Sequence, residues 1–307
     1  MPDNPSSDVL LVTGAAGQLG RRVLANLLDV HGVAPQRLVA VTRDPAKLAD
    51  VAARGVAVRR GDCDDPATLA PAFSGAHRLL LISTNVIDRP GVRVAQHKAA
   101  VAAAEAAGVA HVVYTSMPRP DRSVIPFAPD HLATEQALAS SPLGWTVLRN
   151  AWYCENLGFT LPSVLASGQW FTSAGDGRVA YITREDCARV AAAALIAHPA
   201  ENAIHEITGP AALTTAETAA TIGDVLGVPM AVVQVSDEEL VQGMIGAGSP
   251  EPMARIWASF DSNTQLGNFD IVTDAVERLT GRPPETLRAH FTANKAAYLP
   301  AGAGATT

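Results

Sequence analysis

The sequence predicts an α/β fold, a doubly wound parallel sheet followed by a smaller, mostly helical C-terminal cap. Three observations predict it. Over the first 150 residues short β-branched runs alternate with Ala/Leu-rich helical stretches, the pattern of βαβ units feeding a parallel sheet. Several of those runs, such as Leu79-Leu80-Leu81-Ile82, are apolar without alternation, which suits strands buried on both faces. After Asn150 the rhythm changes to longer helical segments with few strand candidates.

Taken in order, strands are expected over residues 9–13, 38–42, 56–60, 78–83, 111–116 and 145–149. Helical patterns fill the gaps over 18–28, 46–54, 66–73, 92–107 and 131–140. In the second half the strand candidates are 178–182, 203–207 and 231–235. A division into residues 1–150 and 151–307 follows, with some later segments expected to return to the main sheet. The tail from Ala301 to Thr307 is small and polar, and fraying is expected there.

Composition bounds the function. The chain has 307 residues, 48% of them hydrophobic and 17% charged, which is enough to build a core and argues against long disorder. No apolar run reaches the roughly 18 residues of a membrane span. Residues 156–175 carry no charge, but Pro162, Gly168 and Gln169 interrupt them. The segment from Met1 to Asp8 is polar and acidic, unlike a signal peptide, so the expected address is the cytoplasm and no membrane partner is expected. The net charge of −7 would repel a phosphate backbone, and the only basic clusters are Arg59-Arg60 and Arg119 with Arg122, so nucleic acid is not an expected partner. The three cysteines, Cys63, Cys154 and Cys187, have no metal-ligand spacing and read as packed thiols of a reducing compartment; no metal is expected.

The first expected strand runs straight into Gly14-Ala15-Ala16-Gly17-Gln18-Leu19-Gly20 and then into a helix. Glycines there permit a tight turn, a close approach to a pyrophosphate and close helix–strand contact, while the helix start offers free N–H groups to the anion. A glycine pattern alone is weak, but placed after a strand and before a helix it marks a Rossmann-type dinucleotide site. At the end of the second strand an acid would bind ribose hydroxyls and a cation a 2′-phosphate. The residues are Arg43-Asp44-Pro45, with Lys47 following, so NADP(H) is expected over NAD(H). The competing reading has Arg43 solvated and Asp44 on the ribose. Asp62 stands where an acid could bond the adenine amino group, or cap the helix near Pro66 together with Asp64 and Asp65. Ser83, Thr84 and Asn85 fall at the carboxyl end of the fourth strand, where such sheets bind ligands.

The loop Thr13 to Gly20, the run Arg43-Asp44-Pro45-Ala46-Lys47, Tyr114-Thr115-Ser116 and Leu148-Arg149-Asn150-Ala151-Trp152-Tyr153-Cys154-Glu155-Asn156 together resemble the NmrA-like, atypical short-chain dehydrogenase/reductase family, in particular its bacterial NADPH:quinone oxidoreductase type. The resemblance runs over nearly the whole chain, and the segment from Asn150 to Asn156 is its most specific part. It implies that Gly14, Ala15, Ala16, Gly17, Gln18 and Leu19 hold the pyrophosphate and that Arg43 with Lys47 holds the 2′-phosphate. Ser83, Thr84 and Asn85 would hold the nicotinamide-side ribose. Asn150, Trp152, Tyr153 and Glu155 would close over the nicotinamide, with Asn156 facing the substrate. Trp152 and Tyr153 read equally as core filling under the cap.

Reductases of the wider superfamily use a tyrosine with a lysine four residues on, and no tyrosine here has one. The corresponding stretch offers His131 and Glu135, one helical turn apart. Two readings remain. In one, an NADPH-dependent reductase passes hydride directly to a quinone-like or other small carbonyl acceptor, with His131 or His97 assisting. In the other, the chain is a non-catalytic NADP(H)-binding redox sensor of NmrA type. Neither reading fixes the oligomeric state; a homodimer is the assembly considered.

Overall fold

The computed structural model describes residues 7–198, 200 and 202–299. The tail expected to fray lies outside them. The chain folds as two compact units. Among the described residues the first comprises those from 7 to 117, 129–149 and those from 184 to 205, and the second comprises 118–128, 150–183 and 206–299. Each unit therefore draws on both halves of the sequence.

The first unit is built on β1 (Leu10–Val12), α1 (Gln18–Ala25), β2 (Leu38–Thr42), α2 (Ala49–Ala53), β3 (Ala57–Arg60), α3 (Leu69–Phe73), β4 (Arg78–Leu81), α4 (Val92–Ala106), β5 (His111–Ser116), α5 (Ala128–Ala139) and β6 (Gly144–Asn150). Neighbours among these six strands pair in parallel, and the sheet order is β3-β2-β1-β4-β5-β6. A seventh strand, residues 203–207, follows β6 in that sheet. The order reverses between β1 and β4, and ligands of doubly wound sheets bind outside the carboxyl ends of the strands at such a point. All residues of β1, β2, β4 and β5 are buried, the apolar runs as expected and polar Arg78, His111, Thr115 and Ser116 with them. Leu11, Val39, Val41, Leu79, Leu81, Val112, Tyr114 and Val147 form a core with Leu69, Phe73 and Ala104 from the helices. Arg78 is buried in this sheet and donates to the carbonyls of Ala194 (3.0 Å) and Leu195 (2.5 Å), carbonyls at the end of a helix over residues 184–196. A cation there meets the negative end of the helix dipole.

Three expected helices start or end differently. Regular α-helix in α1 stops at Ala25, and a wider turn carries the chain over Asn26–Val30. Pro45 and Pro66 open tight 3-10 turns at Pro45–Leu48 and Pro66–Thr68, ahead of the short α2 and α3. A proline at the first helical position suits a helix start, where its missing N–H would have had no partner.

The second unit contains α6 (Leu161–Ser167), β7 (Gln169–Thr172) and β8 (Arg178–Val179), and the 184–196 helix of the first unit is α7 (Arg184–Ile196). After β9 (Ala203–Ile207) come β10 (Leu213–Thr214), α8 (Thr215–Leu226), β11 (Ala231–Gln234), α9 (Asp237–Gly246), α10 (Glu251–Gln265), α11 (Ala275–Thr280) and α12 (Leu287–Ala293). β7 pairs in parallel with β11, and β8 antiparallel with β10. β7 lies in the uncharged stretch 156–175 and was not expected as a strand; its burial alternates, so only Trp170 and Thr172 face inward. Thr214 and Ser236 head α8 and α9 with reciprocal capping boxes to Glu217 and Glu239. Cys154, Leu157, Leu161, Val164, Trp170, Ile222, Leu226, Leu287 and Phe291 make this unit's main core. Among the described residues no helix is long and apolar enough to cross a membrane.

Candidate functional site

The exit of β1 is stitched to the exit of β4. Thr13 donates through its N–H and its hydroxyl to the Leu80 carbonyl (both 3.0 Å), and its hydroxyl oxygen accepts from the Ile82 N–H (2.9 Å). The chain then turns at Gly14 with φ +59°, a conformation that favours glycine. Gly17 donates its N–H to the Gly14 carbonyl at 2.9 Å, closing the turn. At Gly20 a Cβ would stand 2.4 Å from the Gly14 oxygen and 2.8 Å from the Ala15 Cα, so no other residue fits. Ala15 is buried and bonds the Val41 carbonyl, whereas Gly14, Gly17 and Gln18 are exposed, Ala16 is partly so, and Leu19 packs inward. No side chain caps the start of α1, so its first-turn N–H groups and positive dipole end face outward for an anion. A pyrophosphate fits this cradle.

At the exit of β2, Arg43 and Lys47 are exposed. The Asp44 carboxylate accepts from the Ala46 N–H (3.2 Å) and so caps the 3-10 turn that follows. Asp44 is exposed beside Arg43 and Lys47, so all three are presented at this strand end. The Asp62 carboxylate accepts from the Asp64 N–H (3.0 Å), while its own N–H donates to Thr68 Oγ1 (2.9 Å). Asp65, at the N-cap of the turn before α3, makes no side-chain cap bond, so the helix-capping alternative gives way to a local turn around Asp62. Between them, burial together with Asp62 and Asp64 pushes the Cys63 thiol up to about 11, so it stays protonated near neutrality.

At the exit of β4, the Ser83 N–H donates to Thr115 Oγ1 (2.9 Å) and the Thr84 N–H to His97 Nε2 (3.0 Å), while Asn85 is exposed. His131 does not reach outward. It is buried, with Nε2 2.8 Å from an Arg93 guanidinium nitrogen and Nδ1 2.9 Å from the Tyr114 hydroxyl. Burial, then Arg93, then His97 depress its pKa well below the ordinary value, so it is neutral near neutrality. His97 is likewise held down, to about 3, by burial and by Arg93. Glu135 is also engaged: both oxygens take Arg149 (3.0 and 2.6 Å), and Oε1 accepts from Ser116 Oγ at 2.6 Å. His131 and Glu135 therefore act as neither a free acid nor a free base. Sequence reasoning missed Arg93, Tyr114 and Arg149 as the partners responsible.

In the second unit, the Asn150 amide donates to the Tyr153 hydroxyl (3.2 Å), and its Oδ1 is buried without a partner. An unpaired buried carbonyl oxygen is costly and suits a ligand that brings an N–H, as a carboxamide does. The following segment is clamped by Cys154 N–H to the Ile182 carbonyl (2.8 Å) and Ile182 N–H to the Trp152 carbonyl (3.0 Å). Trp152 joins an aromatic cluster. Its ring centroid lies 4.1 Å from Phe260 and 6.4 Å from Trp257, and Phe159, 75% exposed, lies 6.1 Å from Trp257. Glu155 and Asn156 are partly buried in the turn Cys154–Phe159. Trp257 and Phe260 come from α10 and carried no signal in the sequence beyond aromatic identity.

The sequence profile of the NAD(P)H-binding family matches residues 14–198, and the chain belongs to that family. It is 34% identical to quinone oxidoreductase 2 of Escherichia coli over 279 residues, 91% of this chain and 96% of that one. It is 30% identical over 292 residues to an NmrA-like family domain-containing oxidoreductase of Aspergillus flavus, covering 89% of this chain and 91% of the other. The crystal structure of the Escherichia coli NADPH-dependent quinone oxidoreductase complexed with NADPH superposes with a TM-score of 0.87 at 34% identity, covering 92% of this chain and 99% of that one. The NmrA-like resemblance and the Rossmann-type fold expected from the sequence are both met.

Proposed function

We propose that this NAD(P)H oxidoreductase uses NADPH to reduce a quinone-like ring by direct hydride transfer. The observation that carries the reading is the full internal use of His97, His131 and Glu135, which leaves alignment rather than strong acid catalysis as the protein's contribution. A quinone tolerates this, because the phenolate formed on reduction takes its proton from water.

The candidate residues other than His131 take these roles in this reading. Gly14, Ala15, Ala16, Gly17, Gln18 and Leu19 hold the pyrophosphate at the start of α1. Arg43, with Lys47, holds the 2′-phosphate, and Asp62 faces the adenine. Ser83, Thr84 and Asn85 hold the nicotinamide-side ribose. Asn150, through its unpartnered Oδ1, accepts from the carboxamide, and Trp152, Tyr153 and Glu155 complete that surface. The bound nicotinamide supplies the hydride. Trp152, Trp257 and Phe260 offer flat apolar faces that exclude water and suit an aromatic acceptor, and Asn156 hydrogen-bonds its carbonyl oxygen.

The test follows NADPH absorbance with a panel of benzoquinones and naphthoquinones. Oxidation that depends on enzyme and saturates with quinone is expected. NADPH binding without oxidation of any acceptor would refute the reductase reading and leave the sensor.

A further inference from the structure

The polar groups buried between α4, β5 and α5 fix the tautomers of both histidines. Arg93 can only donate, so His131 Nε2 accepts, and the proton of this neutral ring sits on Nδ1 and is given to the Tyr114 oxygen. The Thr84 N–H can only donate, so His97 Nε2 accepts and His97 carries its proton on Nδ1. That proton goes to Thr134 Oγ1 at 2.9 Å, with the Tyr114 oxygen 3.3 Å away. Thr134 passes its own proton to the Asp130 carbonyl at 2.7 Å. The chain starts at a buried guanidinium and ends on a backbone N–H of the loop that leaves β4. His97, Tyr114 and Thr134 are fully buried, and His131 and Arg93 nearly so.

This arrangement makes His97 unfit to deliver a proton, since its outward nitrogen is the acceptor. It makes His97 well suited to fix a backbone. Thr84 is one of the three residues assigned to the nicotinamide-side ribose, and its N–H would otherwise be free to turn. We infer that His97 is a positioning residue for the dinucleotide: it holds the β4 exit loop in its binding geometry, and Tyr114, Thr134 and the Arg93–His131 pair fix its ring and tautomer. The inference rests on the dinucleotide reading above. A loop held in advance spares the ligand the cost of ordering it, so its release weakens binding by the fraction of competent conformers lost.

Calorimetric titration of the full chain with NADPH and with 2′,5′-ADP tests this, because the second ligand lacks the nicotinamide half. His97→Leu is expected to weaken NADPH about tenfold or more while 2′,5′-ADP stays within about twofold of wild type. His97→Gln, whose carboxamide oxygen reaches the position of Nε2, is expected to recover NADPH affinity to within about threefold. Unchanged NADPH affinity in His97→Leu, equal loss of both ligands, or no recovery in His97→Gln would overturn the inference. Should His97→Leu fail to fold, Tyr114→Phe decides, since it keeps the ring and removes only the hydroxyl beside His97: selective loss of NADPH affinity supports the positioning role and no selective loss overturns it. Wild-type protein that binds neither ligand would instead refute the dinucleotide site itself, and the inference with it.

Discussion

Acidification is expected to destabilise this fold through its buried histidines. Burial and Arg93 hold His97 down to about 3, burial, Arg78 and His198 hold His111 to about 4, and His131 lies well below the ordinary 6.5. All three are buried and hydrogen-bonded in their neutral forms. The unfolded chain titrates them near 6.5, so below that pH it binds protons that the native state refuses. Their contribution is complete above about pH 6.5 and is lost as the pH falls toward their folded values. At about pH 5 His97 and His111 each cost about 2 kcal/mol, from RT ln(1 + 10^(6.5 − 5)), about 4 kcal/mol for the two, and His131 adds in the same direction. That approaches the lower end of the whole stability of a typical domain, about 5–15 kcal/mol.

Urea denaturation at constant ionic strength between about pH 7 and pH 5 measures this directly. The unfolding free energy should fall with a slope of at least about two protons, roughly 3 kcal/mol per pH unit at the acid end, from His97 and His111. Asp130 and Asp261, whose carboxyls burial raises, oppose the trend. His111→Gln, which keeps a polar group beside Thr146, should reduce the slope by one proton. A flat profile in the wild type, or the same slope in the variant, would refute the assignment of these rings as neutral.

Three further outcomes are expected. Arg43→Ala should weaken NADPH about tenfold to a hundredfold, the worth of a charged hydrogen bond to phosphate, and leave NADH nearly unchanged by calorimetry; equal losses would remove Arg43 from the 2′-phosphate. Gly20→Ala forces a Cβ to 2.4 Å from the Gly14 oxygen and should abolish dinucleotide binding while lowering stability by about 1–3 kcal/mol, whereas Gly243→Ala, with open space around its Cβ, should do neither. Glu135→Gln strips the charge from a bidentate pair whose side chains are 7% and 16% exposed, and should cost about 3–5 kcal/mol in urea unfolding, much of it recovered when Arg149 is also replaced by methionine.

The strands of the first 150 residues and the glycine turn were legible because each is local. An unbroken apolar run such as Leu79-Leu80-Leu81 states its burial without a neighbour, and the glycine spacing states its turn. What proved illegible depends on partners distant in sequence. His131 and Glu135 stand one turn apart and read as a potential acid–base pair, yet β5 brings Tyr114 to one and β6 brings Arg149 to the other. Asp62 reads as an adenine contact or a helix cap, and the bond of its carboxylate to the Asp64 N–H, which bears on the cap alone, is a turn the spacing does not announce. Trp152 was divided between core and site, and only the arrival of α10 puts Trp257 and Phe260 beside it.

If the proposed reductase reading holds, the same internal pairing restricts which carbonyls are reduced. Hydride transfer to an aliphatic ketone leaves an alkoxide, a strong base that needs a proton in the transition state. Three candidate donors of the first unit are committed: His97 and His131 are neutral with both nitrogens bonded, and Glu135 is an ion-paired acceptor. Transfer to a quinone leaves a delocalised phenolate, whose charge the solvent and a single amide donor such as Asn156 can meet. Quinones should therefore turn over with little dependence on pH between about 6 and 8, while simple aldehydes and ketones bound at the same aromatic surface stay unreduced. Steady-state assays with a quinone and a saturated cyclic ketone of similar size test this, and comparable rates for the two would show that a proton donor operates which these pairings do not reveal.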